Sequence, residues 1–158
     1  MQLTKANIDG VFTVDRKKIT DERGGVFHVM RADSPEFLGF GETYVSTVKS
    51  GTIKAWKKHL AMHQSVTVPV GSVKFVIYDD RPDSPSKDRV QTIEIGESRY
   101  EMLRIPPGVW YGFVGTAPGS SVIVNCASIP HDPSEVVRLP DSTPEIPYRW
   151  NDMREATK

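Results

Sequence analysis

The sequence predicts an all-β protein, a barrel or two-sheet roll of short antiparallel strands. Three observations carry this. Runs rich in Val, Ile, Thr, Tyr and Phe recur along the chain, each broken by Gly, Pro, Asp or Ser. The runs are short and evenly spaced, the pattern of a sandwich or barrel. Twelve prolines are spread along the 158 residues and leave little room for long helices.

Each element follows from its own residues. A strand over 43–48 runs to Gly51, and one over 66–70 stops at Gly71. A third, over 73–78, ends in the turn-rich stretch 79–86. A fourth, over 121–126, leads into the loop Pro130-His131-Asp132-Pro133. The barrel is expected over roughly residues 10 to 130, with the rest wrapped outside it. Helix is expected only in two short pieces, 34–38 and the tail 151–158. The polar tail after Trp150 also suits disorder. The length fits one domain over residues 1–158 with a real core.

Composition excludes several classes of function. Lysine plus arginine equals aspartate plus glutamate at 20 each, so no global field draws in nucleic acid or an anionic membrane. No apolar run approaches the roughly 20 residues that span a bilayer. The opening MQLTKANIDG lacks the charged-then-apolar pattern of an export signal. Cys126 is the only cysteine, so no intrachain disulfide forms. The expectation is a cytoplasmic protein.

The stretch GTIKAWKKHLAMHQSVTVPVG, residues 51–71, holds the first functional signal. Its spacing resembles the first motif of the metal-binding cupins: a glycine, five residues, two histidines one apart, a carboxylate and a closing glycine. Pro106-Pro107-Gly108-Val109-Trp110-Tyr111 resembles the second motif, which ends on a histidine. The four ligand positions hold Lys57, His59, Gln64 and Tyr111. Transition metals need deprotonated nitrogen, sulfur or carboxylate donors. Lysine is normally protonated, glutamine is a weak donor, and tyrosine ionises only near pH 10. Recruiting His63 gives two histidines, still a poor site. The fold implied is a cupin, a double-stranded β-helix or jelly-roll barrel, with its ligand inside and no metal or other cofactor. Lys57 and His59 are two apart on a strand and share a face. That face is the barrel interior, unless the lysine snorkels to the mouth and the histidines merely end a strand.

The chain resembles the dTDP-4-dehydrorhamnose 3,5-epimerases, metal-free cupins acting on nucleotide-linked keto sugars. The resemblance runs from about Asp21 to Trp150. It includes Asp21-Glu22-Arg23-Gly24 with Phe27, the strand from Gly51 to Lys57, and Asp79-x-Arg81 with Ser84-Pro85. Ile105-Pro106-Pro107-Gly108 with Gly112-Phe113, and Ile146-Pro147-Tyr148-Arg149-Trp150, complete it. Tyr44-Val45-Ser46, Ala55-Trp56 and Asn125-Cys126-Ala127 resemble a side branch of epimerase-related chains. The resemblance implies a nucleotide-diphosphate sugar as ligand and a homodimer that exchanges edge strands. Arg23 then matches the arginine that binds the nucleotide diphosphate, serving the neighbouring subunit's cavity. Lys54 matches a phosphate-contacting arginine and keeps the charge without the bidentate fork. Lys57 falls on the histidine base, Gln64 near a substrate-binding lysine, and Tyr111 on a second active-site histidine. Asn125 falls on the tyrosine acid, and His28 on a common glutamate. His63 joins these as a substrate-binding candidate. The aspartate that supports the family's base has no counterpart visible in the sequence.

Epimerisation beside a ketone needs a base for the acidic C–H, a group to hold the enolate, and a donor on the other face. Lys57, desolvated beside Lys54 and Lys58, is one base. His59 is another and needs no tuning; it matches a histidine of the family's 3,4-ketoisomerase relatives. Tyr111 polarises the carbonyl or donates a proton. The catalytic candidates are therefore Lys57, His59 and Tyr111. Epimerisation at one carbon or two, and ketone migration, stay open. So does a binding module that kept the cavity and lost catalysis. Cys126 reads as a packed strand residue rather than a nucleophile.

Overall fold

A computed structural model gives the architecture and describes residues 3–5 and 7–150. The tail 151–158, expected as helix or disorder, lies outside the described residues. Among the described residues thirteen strands follow one another: β1 (Leu3–Lys5), β2 (Phe12–Asp15), β3 (Lys18–Asp21), β4 (Gly24–Phe27), β5 (Glu42–Lys49), β6 (Ile53–His59) and β7 (Gln64–Val70). Then come β8 (Ser72–Tyr78), β9 (Val90–Gly96), β10 (Glu101–Ile105), β11 (Trp110–Gly115), β12 (Ser120–Ala127) and β13 (Val136–Arg138). One 3-10 turn, Pro133–Glu135, precedes β13.

Two antiparallel sheets form the walls of a jelly-roll barrel, the cupin architecture. One has six strands in the order β1-β2-β10-β7-β12-β5; the other has five, β13-β6-β11-β8-β9. Strands β3 and β4 make a separate hairpin. Alternation explains the walls. On β8, Val73, Phe75 and Ile77 enter the core between the sheets with Val66, Val68, Ile95, Leu103 and Ile123. Val76 on β8 faces the other way and joins Trp56, Trp110, Ile146 and Trp150 in a second cluster. The segment 139–150 therefore covers the outside of the five-stranded sheet. Residues beyond 130 do more than wrap, since β13 extends that sheet along β6.

The expected helix over 34–38 is a pair of turns instead. Phe37 N–H reaches Ser34 O at 3.0 Å, and five residues are too few to repay helix nucleation. Tertiary contacts take over: Glu36 is buried, its carboxylate on Arg16 and its carbonyl accepting from Arg104.

Two local features aim β6 at the interior. Tyr111 pairs with Lys57 and Phe113 with Lys54, so β6 spends one residue more than β11 over this stretch. That bulge shifts the phase of the strand, and Lys54 joins Lys57 in lining the interior. Gly112 lies opposite; a Cβ there would come within 2.5 Å of the Ala55 Cβ. The turn Pro106-Pro107-Gly108 then clips the end of β6. Gly108, at φ +88, donates its N–H to His59 O at 2.7 Å.

The Asp79-x-Arg81 motif is structural. The buried Asp79 carboxylate accepts from Arg81 Nε at 2.8 Å, Ser84 Oγ at 2.5 Å and Ser86 Oγ at 2.6 Å. Burial works to raise this acid, but those hydrogen bonds outweigh it and hold the carboxyl well below its ordinary range.

Candidate active site

A cavity of about 420 Å³ lies between the two sheets. The five-stranded sheet contributes Lys54, Lys57, Phe75, Tyr111 and Arg138; the six-stranded sheet contributes Tyr44, Gln64 and Asn125. A smaller hollow of about 210 Å³ adjoins it and opens onto His59. Tyr44, Lys57 and Arg138 line both.

His59 ends β6 and is buried, with its Nδ1 on the Glu135 carboxylate. The second Glu135 oxygen accepts backbone N–H groups of Leu60, Ala61 and Met62, each at 3.2 Å. Burial opposes the charge on Glu135, but the His59 bond and the N–H groups of Ala61 and Met62 prevail and hold its carboxyl below the usual range. An acceptor on Nδ1–H fixes the tautomer and leaves the lone pair on Nε2. That nitrogen faces Tyr111 Oη at 3.5 Å, with the two rings nearly parallel. Burial pushes the Tyr111 phenol up, so it stays a neutral hydrogen-bond donor.

Lys57 sits where β13 crosses β6, paired in register with Arg138. Burial lowers its amine, and the charges of Arg138 and Lys54 lower it further. Lys58 takes no part, contrary to the sequence expectation. It faces outward, with Nζ 2.6 Å from Asp80 and above the Trp110 ring. The lysine adds to the outer cluster while its neighbour serves the cavity, as strand alternation requires.

The opposite wall is a chain of amides and a phenol. Asn125 Nδ2 donates to Tyr44 Oη at 2.8 Å and to Gln64 Oε1 at 3.1 Å. Asn125 Oδ1 accepts from Ser65 N–H at 3.3 Å. Tyr44 and Asn125 are direct cross-strand partners on β5 and β12.

Three sequence candidates lie elsewhere in the chain. His63 precedes Gln64 and so faces the other side of the six-stranded sheet, in a separate hollow with Arg104 and Cys126. Burial and Arg104 lower its imidazole. Arg23 stands at the β3–β4 turn, 83% exposed and held by Asp21 at 2.6 Å. His28 follows β4, its carbonyl accepting from Tyr100 Oη at 2.9 Å. Neither lines the cavity of its own chain.

Sequence reasoning missed Glu135, Arg138 and Tyr44. Glu135 is 76 residues from His59, and no spacing rule links them. The local signal was the cap: Asp132 Oδ1 accepts from Ser134 N–H at 2.9 Å, Pro133 starts the turn, and the acid falls inside it. Among the described residues, no three His, Cys, Asp or Glu side chains converge as a metal-binding set. No helix among them is long and apolar enough to cross a membrane.

Comparison with known proteins fits this geometry. A probable low-salt glycan biosynthesis epimerase of Haloferax volcanii, Agl13, is 34% identical over 150 residues, 92% of this chain and 96% of that protein. The spore coat polysaccharide biosynthesis protein SpsL of Bacillus subtilis is 30% identical over 146 residues, covering 91% and 97%. The crystal structure of a dTDP sugar isomerase from Desulfovibrio desulfuricans G20 superposes with a TM-score of 0.90 at 40% identity, covering 96% of this chain and 95% of that one. The family model described as dTDP-4-dehydrorhamnose 3,5-epimerase matches residues 5–158. The chain belongs to the dTDP-4-dehydrorhamnose 3,5-epimerase family and is a sugar-nucleotide epimerase of the isomerase class.

Proposed function

We propose that this enzyme inverts a carbon beside the ketone of a nucleotide-linked 4-keto-6-deoxy sugar, with His59 as the base. The observation that carries this is the Glu135–His59 pair, whose free nitrogen faces Tyr111 at the edge of the cavity. His59 Nε2 removes the C–H proton, and the bond's electron pair becomes the enolate. The Tyr111 hydroxyl, kept neutral by burial, donates to the developing oxyanion. Lys54, Lys57 and Arg138 supply positive charge for the enolate or the diphosphate.

The lowered amine of Lys57 supports a second reading, in which the neutral lysine is the base. Exchange in heavy water separates the two. His59→Asn is expected to cut deuterium wash-in beside the ketone by about 100-fold, the usual scale for a general base. Lys57→Met is expected to weaken binding and soften its salt dependence while leaving the saturated rate within a few-fold. The reverse result would make Lys57 the base. Wild-type protein that binds nucleotide sugar without any wash-in would make the chain a binding module.

We further propose a homodimer. Strand β5 is an open edge of eight residues, and Val45 on it is 63% exposed. The β3–β4 hairpin projects with Ile19 and Val26 exposed and Arg23 at its turn. Arg23 then reaches a nucleotide held by the partner subunit. A cytoplasmic place of work accords with the single free thiol, and the balanced charge offers nothing to nucleic acid or membrane lipid.

A further inference from the structure

Resting on that reading, we infer that Tyr44 is the acid that returns the proton on the face of the sugar opposite His59. Inversion requires a donor across the substrate from the base, and the two walls of the cavity belong to different sheets. His59, Lys57 and Tyr111 come from the five-stranded sheet, whereas Tyr44 comes from β5 of the six-stranded one. Among the described residues lining the two hollows from that six-stranded wall, Tyr44 carries the one phenolic hydroxyl.

Its surroundings prepare it for the task. Asn125 donates to the Tyr44 oxygen at 2.8 Å, and Gln64 and Ser65 fix the amide's orientation. With that lone pair taken by a donor, the hydroxyl hydrogen is free to point into the cavity, and accepting a hydrogen bond makes O–H a stronger donor. The Asn125 N–H then stays in place to hold the phenolate left after transfer, and Lys57 and Arg138 line the same hollows with positive charge. Tyr111 is poorly suited to this step, because it shares a sheet with His59 and its buried phenol resists ionisation.

The step balances. His59 takes the proton from one face, and the C–H electrons form the C=C of the enolate. The enolate carbon then takes the Tyr44 proton on the other face, and the C=O bond re-forms. Imidazolium and phenolate remain, and solvent resets both. The Tyr44 phenol and the Asn125 amide thus act as one unit across two paired strands.

Tyr44→Phe removes one oxygen at a half-exposed position, and its test uses dTDP- and UDP-linked 4-keto-6-deoxyglucose in heavy water. The expected result is a split between two readouts. Conversion to the inverted sugar falls about 100-fold or more, while deuterium still washes into recovered, uninverted substrate at a rate within a few-fold of wild type. Inversion at the wild-type rate in Tyr44→Phe overturns the assignment. Loss of wash-in together with inversion also overturns it, since Tyr44 would then act before or during proton removal. Wild-type protein that exchanges neither sugar overturns the epimerase reading itself, and this inference with it.

Discussion

Lys57 and His59 share one strand face, two residues apart, yet their surroundings differ in kind. Cations flank the lysine, and a buried carboxylate holds the histidine. Cations suit an anion anchor, whereas a carboxylate suits a base that must carry positive charge after taking a proton. With His59 as the proposed base, Glu135 is a positioning residue that acts on the substrate only through that histidine. Glu135→Gln is expected to lower kcat by about 10–100-fold with KM changed little, since the pocket walls stay in place. Steady-state kinetics check this; an unchanged kcat would remove the carboxylate from the mechanism. Strand period alone put Lys57 on the face of His59, whereas Gln64, Tyr111 and Asn125 were legible only through motif spacing and the family resemblance. Glu135 and Tyr44 were not, because each meets its partner across 76 and 81 residues of chain through pairing that no local pattern encodes.

At the scale of elements, hydrophobic alternation made the long strands readable, and their ends fall within a few residues of expectation. The bulge in β6 was hidden, because an extra residue shows only when β11 lies beside it. The 79–86 stretch read as a turn-rich loop and proved to be a knot around Asp79. That knot ties pH to stability. The Asp79 and Glu135 carboxyls are depressed in the folded state from ordinary values of 3.8 and 4.5. Their contributions are whole above those ordinary values and disappear as pH falls through the lower folded ones. Thermal melts are expected to show Tm steady near neutrality and dropping steeply below about pH 4. Asp79→Asn should lower Tm at pH 7 and flatten that acid limb. A variant with the wild-type slope would show that Asp79 does not set it.

Among the described residues, the whole molecule places its largest described cavity between two sheets and leaves the β3–β4 hairpin projecting outside both. An exposed arginine at a hairpin turn contributes little to its own subunit, and its bond to Asp21 is a surface pair. In the proposed homodimer its value lies in reaching the partner subunit's nucleotide. Sedimentation at micromolar concentration is expected to show a dimer. Arg23→Ala should weaken nucleotide binding and reduce its salt sensitivity without changing that mass. A monomer that binds nucleotide sugar at full strength would place the diphosphate wholly on Lys54, Lys57 and Arg138.

The order of synthesis gives the covering segment 139–150 a further meaning. A nascent chain that has emerged through Ala127 already holds every strand of both sheets except β13. It has no Glu135 beside His59 and no Arg138 beside Lys57. It also lacks Trp150, which packs on Trp56 behind the strand that carries both residues. A chain cut short near that point would leave Trp56, Val76 and Trp110 uncovered on the outside of the five-stranded sheet, an apolar patch that marks it as unfinished. The partners of His59 and Lys57 are thus made only after every other strand of both sheets, and the cover over Trp56 arrives with them.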